Sequence, residues 1–247
     1  MLHGFGVRGG FIARHFNALR LSKESLTKFD GPRPLVFFLN HPSWWDPLTA
    51  FVLARRLVPN RYPFAPIDRT ALARYPLLER MGLFGVDHSP AGVRTFLNAA
   101  TAAASDPTTS LWFTPEGRFT DPRARPVRFE PGIGHLATRL DADFIPVAIE
   151  YRFWDERLPE ILVRLGEAIP TGRRSLTASA WTTRFEAALE AELDRLGDEA
   201  AGRDAERFRT ILSGAAGVGT VYDMLRRVKS VASGVRFRAR HSSDSRW

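Results

Sequence analysis

The segment Asn40-His41-Pro42-Ser43-Trp44-Trp45-Asp46 holds a histidine and an aspartate five positions apart, a pair of residue types suited to moving a proton. On a regular helix, residues five apart lie about 140° apart around the axis, so the two cannot share a helical face. They can meet if His41 lies in the turn after a strand and Asp46 in the first turn of the next helix. Pro42 favours that break, because the residue before a proline is pushed out of the helical region. Asp46 would then accept the proton on one imidazole nitrogen and leave the other free to take a proton from a substrate hydroxyl. The alternative for the isolated pair is structural: Asp46 caps a helix start and His41 makes a turn hydrogen bond.

A second segment, Leu111-Trp112-Phe113-Thr114-Pro115-Glu116-Gly117-Arg118, runs from an apolar stretch into a proline and glycine turn. Such a turn exposes a carboxylate and a guanidinium at a strand end. In α/β sheets ligands bind at the carboxyl ends of the strands, so two segments that leave strands in this way open on one crevice. Arg118 suits a phosphate or carboxylate because its planar fork donates two parallel hydrogen bonds, and it suits a surface ion pair equally by type. The chain has no cysteine, which excludes a disulfide framework, a thiolate metal site and a cysteine nucleophile. His41, Asp46, His88 and Glu116 are suitable metal ligands by type, but their spacing matches no ligand motif, and no metal is expected.

Residues 34–170 supply the elements that would position these groups. Leu35 to Leu39 is a continuous apolar run of strand length, bounded by Pro34 and by Asn40-His41-Pro42. A helix is expected over 45–57, a strand over 62–66, a helix over 70–81 ending at Gly82, a strand over 83–87, a helix over 91–104 and a strand over 110–114. Beyond a long polar loop follow a helix over 132–140 and strands over 144–151 and 161–165. Strands alternating with helices specify an α/β sheet covered on both faces. From about Leu176 the pattern reads as helical to the end, with no returning strand. Trp181, Phe185, Leu189 and Leu193 recur every four residues as an amphipathic helix packed on the sheet, and Val218, Val221, Tyr222, Leu225 and Val228 form a second stripe.

Taken in order, four pieces resemble the four blocks of the glycerolipid acyltransferase family, of the lysophosphatidic acid acyltransferase type. They are His41 with Asp46, Gly82-Leu83-Phe84-Gly85-Val86-Asp87, Phe113-Thr114-Pro115-Glu116-Gly117, and Ile145-Pro146-Val147. The stretch from Phe129 to Ala137 is also similar to the segment after the third block. The resemblance spans roughly residues 35–150, and its joint order and spacing are far more specific than any one piece. It implies a mixed sheet covered by helices, and acyl transfer from acyl-CoA or acyl carrier protein to a hydroxyl of an amphipathic acceptor, with no cofactor beyond the donor substrate. It makes His41 the general base and Asp46 the residue that orients it. Glu116 and Gly117 would help hold the acceptor. The family's second block usually closes on a phosphate-binding arginine where His88 stands here, and its third-block arginine follows glycine after one intervening residue, whereas Arg118 follows Gly117 directly. These departures leave the hydroxyl chemistry in place and point from a glycerol phosphate toward a lysophospholipid with a larger head group, a glycolipid or a glycosylated terpenoid. A non-catalytic lipid-binding relative would share the same blocks. Trp44 and Trp45, between the two proposed catalytic residues, suit a wall for the acyl chain, an interfacial anchor, or core packing.

The ends of the chain carry excess positive charge, and the whole chain has 35 lysines and arginines against 27 aspartates and glutamates, a net +8. Such a balance attracts polyanions. No helix-turn-helix, zinc-finger or aromatic RNA-binding motif is present to select nucleic acid. No run approaches the roughly 18 apolar residues of a spanning helix. Phe11, Ile12, Phe16 and Leu19 would share one face of a basic helix within residues 1–30, fit either to lie on an anionic membrane or to dock on its own domain. The expected organisation is that helix, an α/β core over 31–175, a helical part over 176–235 and a frayed tail over 236–247. The expected location is the cytoplasmic face of the cell membrane, peripherally bound.

Overall fold

The computed structural model describes residues 10–25, 29, 31–74, 76–87, 89–172 and 176–214. In chain order these form α1 (Gly10–His15), β1 (Ala18–Ser22), β2 (Leu35–Leu39), α2 (Asp46–Leu57), β3 (Tyr62–Asp68), α3 (Arg69–Arg74), β4 (Leu83–Val86) and α4 (Pro90–Ala104). There follow β5 (Thr109–Phe113), α5 (Gly132–Ala137), β6 (Asp143–Arg152), β7 (Glu160–Leu165), β8 (Ile169–Pro170), α6 (Ala178–Ala201) and β9 (Phe208–Ser213). The nine strands make one mixed sheet in the order β4-β3-β5-β2-β6-β7-β1-β9, with β8 paired to β6. The run from β4 through β6 is parallel, whereas β7 and β8 lie antiparallel to β6. β2 therefore sits between β5 and β6, and all three end at the same edge of the sheet.

Both faces of this sheet are covered, which is why its central strands read as unbroken apolar runs. Along β2 the side chains alternate. Val36 and Phe38 join Leu111, Phe144 and the α6 residues Phe185 and Leu189 on one face, while Leu35, Phe37 and Leu39 meet Trp112, Ile145 and Leu53 of α2 on the other. Phe185 stacks on Phe144 at 4.8 Å and Phe37 on Trp112 at 3.9 Å. Burying an aromatic or leucine side chain of this size contributes about 1.5–3 kcal/mol.

Several sequence expectations are corrected. The helix expected within residues 1–30 is confined, among the described residues, to Gly10–His15. Leu19 instead lies on β1, which runs parallel to β7 and antiparallel to β9. Arg20 is buried and paired with Glu160 at 3.0 Å, and this internal charge interrupts what would otherwise read as an apolar strand. The helical pattern after Leu176 does not run to the end, because β9 returns to the sheet edge. The exposed Arg209 and Thr210 interrupt its apolar residues Phe208, Ile211 and Leu212, so this edge strand gives no continuous apolar run. The helix expected over 70–81 is broken into α3 and a 3-10 turn over Pro76–Met81, since Pro76 offers no amide hydrogen to continue the ladder. The stripe over 218–228 and the tail over 236–247 lie outside the described residues.

Candidate active site

β2 ends at Leu39, and the next residue keeps the register: the Asn40 amide donates to the Ile149 carbonyl at 2.9 Å and accepts from the Ile149 N–H at 2.8 Å. His41 follows at the end of a pinned strand. Its backbone is held again from the β5 side, where Glu116 Oε1 accepts the His41 N–H at 3.1 Å and the Thr120 N–H donates to the His41 carbonyl at 2.9 Å. Pro42 to Trp45 then turn the chain, and Asp46 opens α2 with Pro47 behind it. A carboxylate at a helix N-terminus is favoured by the partial positive charge of the free amides there.

The two side chains meet across the turn. His41 Nδ1 and Asp46 Oδ2 are 2.6 Å apart. A carboxylate only accepts, so Nδ1 donates, and in the neutral ring Nε2 then holds the lone pair. Asp46 is 1% exposed, while the His41 side chain is 19% exposed, so the imidazole has access that the carboxylate lacks. The buried carboxylate is satisfied by two further donors, the Ser43 N–H to Oδ2 at 3.0 Å and the Tyr151 hydroxyl to Oδ1 at 2.7 Å. Burial first, and the Asp46 charge second, push the Tyr151 phenol well above its usual range, so it remains a donor.

His41 and Asp46 border a cavity of about 360 Å³ whose wall is mainly apolar, with Leu48, Phe51, Phe64, Ile67, Leu83 and Trp112 among its residues. Pockets of this size and apolar lining, with a few convergent polar groups, are where small-molecule substrates bind. Gly117 lines the same cavity and adopts φ +66°, a left-handed turn suited to glycine. Glu116 is buried and turned toward the His41 backbone. Arg118 is exposed. Trp44 is also exposed and its ring lies on Trp45, which packs against Phe11, His15 and Phe16; neither tryptophan lines the cavity. His88 lies outside the described residues. The structure thus gathers His41, Asp46, Glu116 and Gly117.

Sequence reasoning missed Tyr151, Thr49 and Phe119. Thr49 Oγ1 lies 3.2 Å from the Tyr151 hydroxyl, and the Phe119 ring sits 4.5 Å from the His41 imidazole. Thr49 was readable in principle, three residues after Asp46 and on the same helical face. Tyr151 reaches the site through the register of β6 on β2, which no local pattern announces.

Comparison with known proteins bears on the fold and the family. No curated protein matches the sequence. Among solved structures the chain is similar to the 1-acyl-sn-glycerophosphate (LPA) acyltransferase PlsC from Thermotoga maritima, with 14% identity and a TM-score of 0.50, over 74% of this chain and 73% of that one. At that identity the likeness is one of fold. The acyltransferase family model matches residues 20–150. That span exceeds half the sequence and takes in the His41 turn, the cavity wall and the Glu116 loop, and on it the chain belongs to the acyltransferase family.

Proposed function

We propose that this acyltransferase moves a fatty acyl group from acyl-CoA or acyl carrier protein to a hydroxyl of a lysophospholipid or related amphipathic acceptor, with His41 as general base. The observation that carries the proposal is the His41–Asp46 contact of 2.6 Å at the wall of an apolar cavity. His41 Nε2 takes the acceptor's hydroxyl proton as its oxygen attacks the thioester carbonyl. A C–O bond forms, the C–S bond breaks, and the departing thiolate receives the proton from the imidazolium. Asp46 keeps the ring in the productive tautomer and stabilises the imidazolium while it exists. Direct transfer needs no covalent acyl-enzyme, in keeping with a chain that has no cysteine. The apolar wall suits a hydrocarbon chain, and Arg118, beside Gly117, suits an anionic group of either substrate.

A glycolipid or glycosylated terpenoid is the second acceptor class. It is favoured by Phe119, which is 61% exposed yet rests on the imidazole, so that an apolar ring borders the base. We place the protein peripherally on the cytoplasmic face of an anionic membrane, where thioester donors and amphipathic acceptors meet. Among the described residues no helix is long and apolar enough to cross a membrane.

The test is to incubate pure protein with radiolabelled acyl-CoA, or acyl carrier protein thioester, and a panel of lysophospholipid and glycolipid acceptors, with products read by mass spectrometry. An O-acylated lipid is expected from at least one donor and acceptor pair. Release of free fatty acid with every acceptor would contradict transfer.

A further inference from the structure

The Asp46 carboxylate can rotate about its Cβ–Cγ bond, and two of its three donors, His41 Nδ1 and the Ser43 N–H, meet the same oxygen, Oδ2. The third, the Tyr151 hydroxyl, is the only described donor to Oδ1. We infer that Tyr151 is a positioning residue for the proton transfer, its hydroxyl fixing the carboxylate rotation that keeps Oδ2 against His41 Nδ1. The inference rests on His41 being the base.

Counting hydrogens fixes the direction of the chain. Tyrosine has one hydroxyl hydrogen, and a carboxylate has none to give. Tyr151 donates to Asp46, so the 3.2 Å contact with Thr49 must run from the Thr49 hydroxyl to the Tyr151 oxygen. Thr49 stands on α2 and Tyr151 on β6, so the relay joins the helix that carries Asp46 to the strand beside β2. Because burial holds the phenol neutral, the donor persists across the working pH range of an enzyme. Without it, Oδ1 would be a buried charged oxygen with no described partner, free to turn toward another donor or admit water. The Tyr151 ring also packs against Phe16 at 5.6 Å, a contact that phenylalanine would keep.

Tyr151→Phe therefore removes the hydroxyl and spares the packing. We expect kcat to fall about 10- to 100-fold with KM for donor and acceptor within about twofold, because geometry at the base is lost and binding is not. Thr49→Val should lower kcat less, and should add nothing in a Tyr151→Phe background, where its acceptor is gone. A purely structural tyrosine would lower the melting temperature and leave kcat unmoved, and that result overturns the inference. Retained transfer in His41→Ala would remove the base itself, whereas an inactive His41→Ala beside a Tyr151→Phe with wild-type kcat would remove only the role of Tyr151.

Discussion

Asp46 gains its importance from its burial: with 1% exposure it is withdrawn from bulk solvent, and its donors among the described residues are His41, Ser43 and Tyr151. Replacing one oxygen by an amide changes little in shape and much in chemistry. In Asp46→Asn the amide can turn its NH₂ toward Nδ1, which then carries the lone pair while Nε2 carries the proton and can no longer act as a base. Loss of kcat on the order of 10³-fold or more is expected, with KM nearly unchanged and the circular dichroism spectrum retained; steady-state kinetics at saturating acceptor would check it. At this scale much was legible in the sequence. His41 and Asp46 could be paired because Pro42 forbids one continuous helix and because the imidazole and carboxylate types declare their chemistry. Tyr151 could not, since its partner is 105 positions away and chosen by strand register.

The elements act as rulers for those side chains. Asn40 extends the β2–β6 pairing one step past Leu39 through its side-chain amide, and so sets where His41 leaves the sheet. Asn40→Ala strands the Ile149 N–H and carbonyl, both buried, and should destabilise the fold by about 2 kcal/mol or more while lowering kcat through a looser His41 turn. Urea denaturation followed by kinetics on the folded variant would show both effects, and wild-type stability would mean that the tie is idle. α5 and α6 illustrate a closer fit. A Cβ on Gly134 would stand 2.0 Å from the Ala178 carbonyl, so only glycine lets the start of α6 approach α5. The strands over 35–39, 110–114 and 144–151 were legible because both their faces are largely buried and their residues are mainly apolar. β9 was not, because Arg209 and Thr210 face solvent at the edge of the sheet, where pairing is made by the backbone and needs no apolar pattern.

For the molecule as a whole, the two ends of the described chain are knitted into one side of the sheet, away from β2. β1 lies between β7 and β9, and the buried Arg20–Glu160 pair crosses from β1 to β7. Arg164 of β7 reaches Glu192 at 2.7 Å and also Glu199, both on α6. The residues expected to form a free membrane-binding helix are thus partly structural. Ile12 and Phe16 are buried in the core, while Phe11 at 50% and Trp44 at 57% remain exposed and are joined through Trp45. If those rings seat the protein on a bilayer, the pair Phe11→Ser and Trp44→Ser should weaken sedimentation with anionic phospholipid vesicles about tenfold, leaving the melting temperature nearly unchanged. Sedimentation equal to wild type would detach the membrane role from this ridge. The parallel arrangement of β5, β2 and β6 meanwhile brings the His41 turn, the Glu116 loop and Tyr151 to a single edge, so the topology itself assembles the site.

The central claim is that the His41 imidazole removes the acceptor's hydroxyl proton. It is tested most directly by comparing wild type with His41→Ala in the acyl-transfer assay, using the donor and acceptor that the wild type accepts. Transfer should fall to background in the variant, with an unchanged circular dichroism spectrum. Transfer by His41→Ala at a rate near that of wild type would contradict the account.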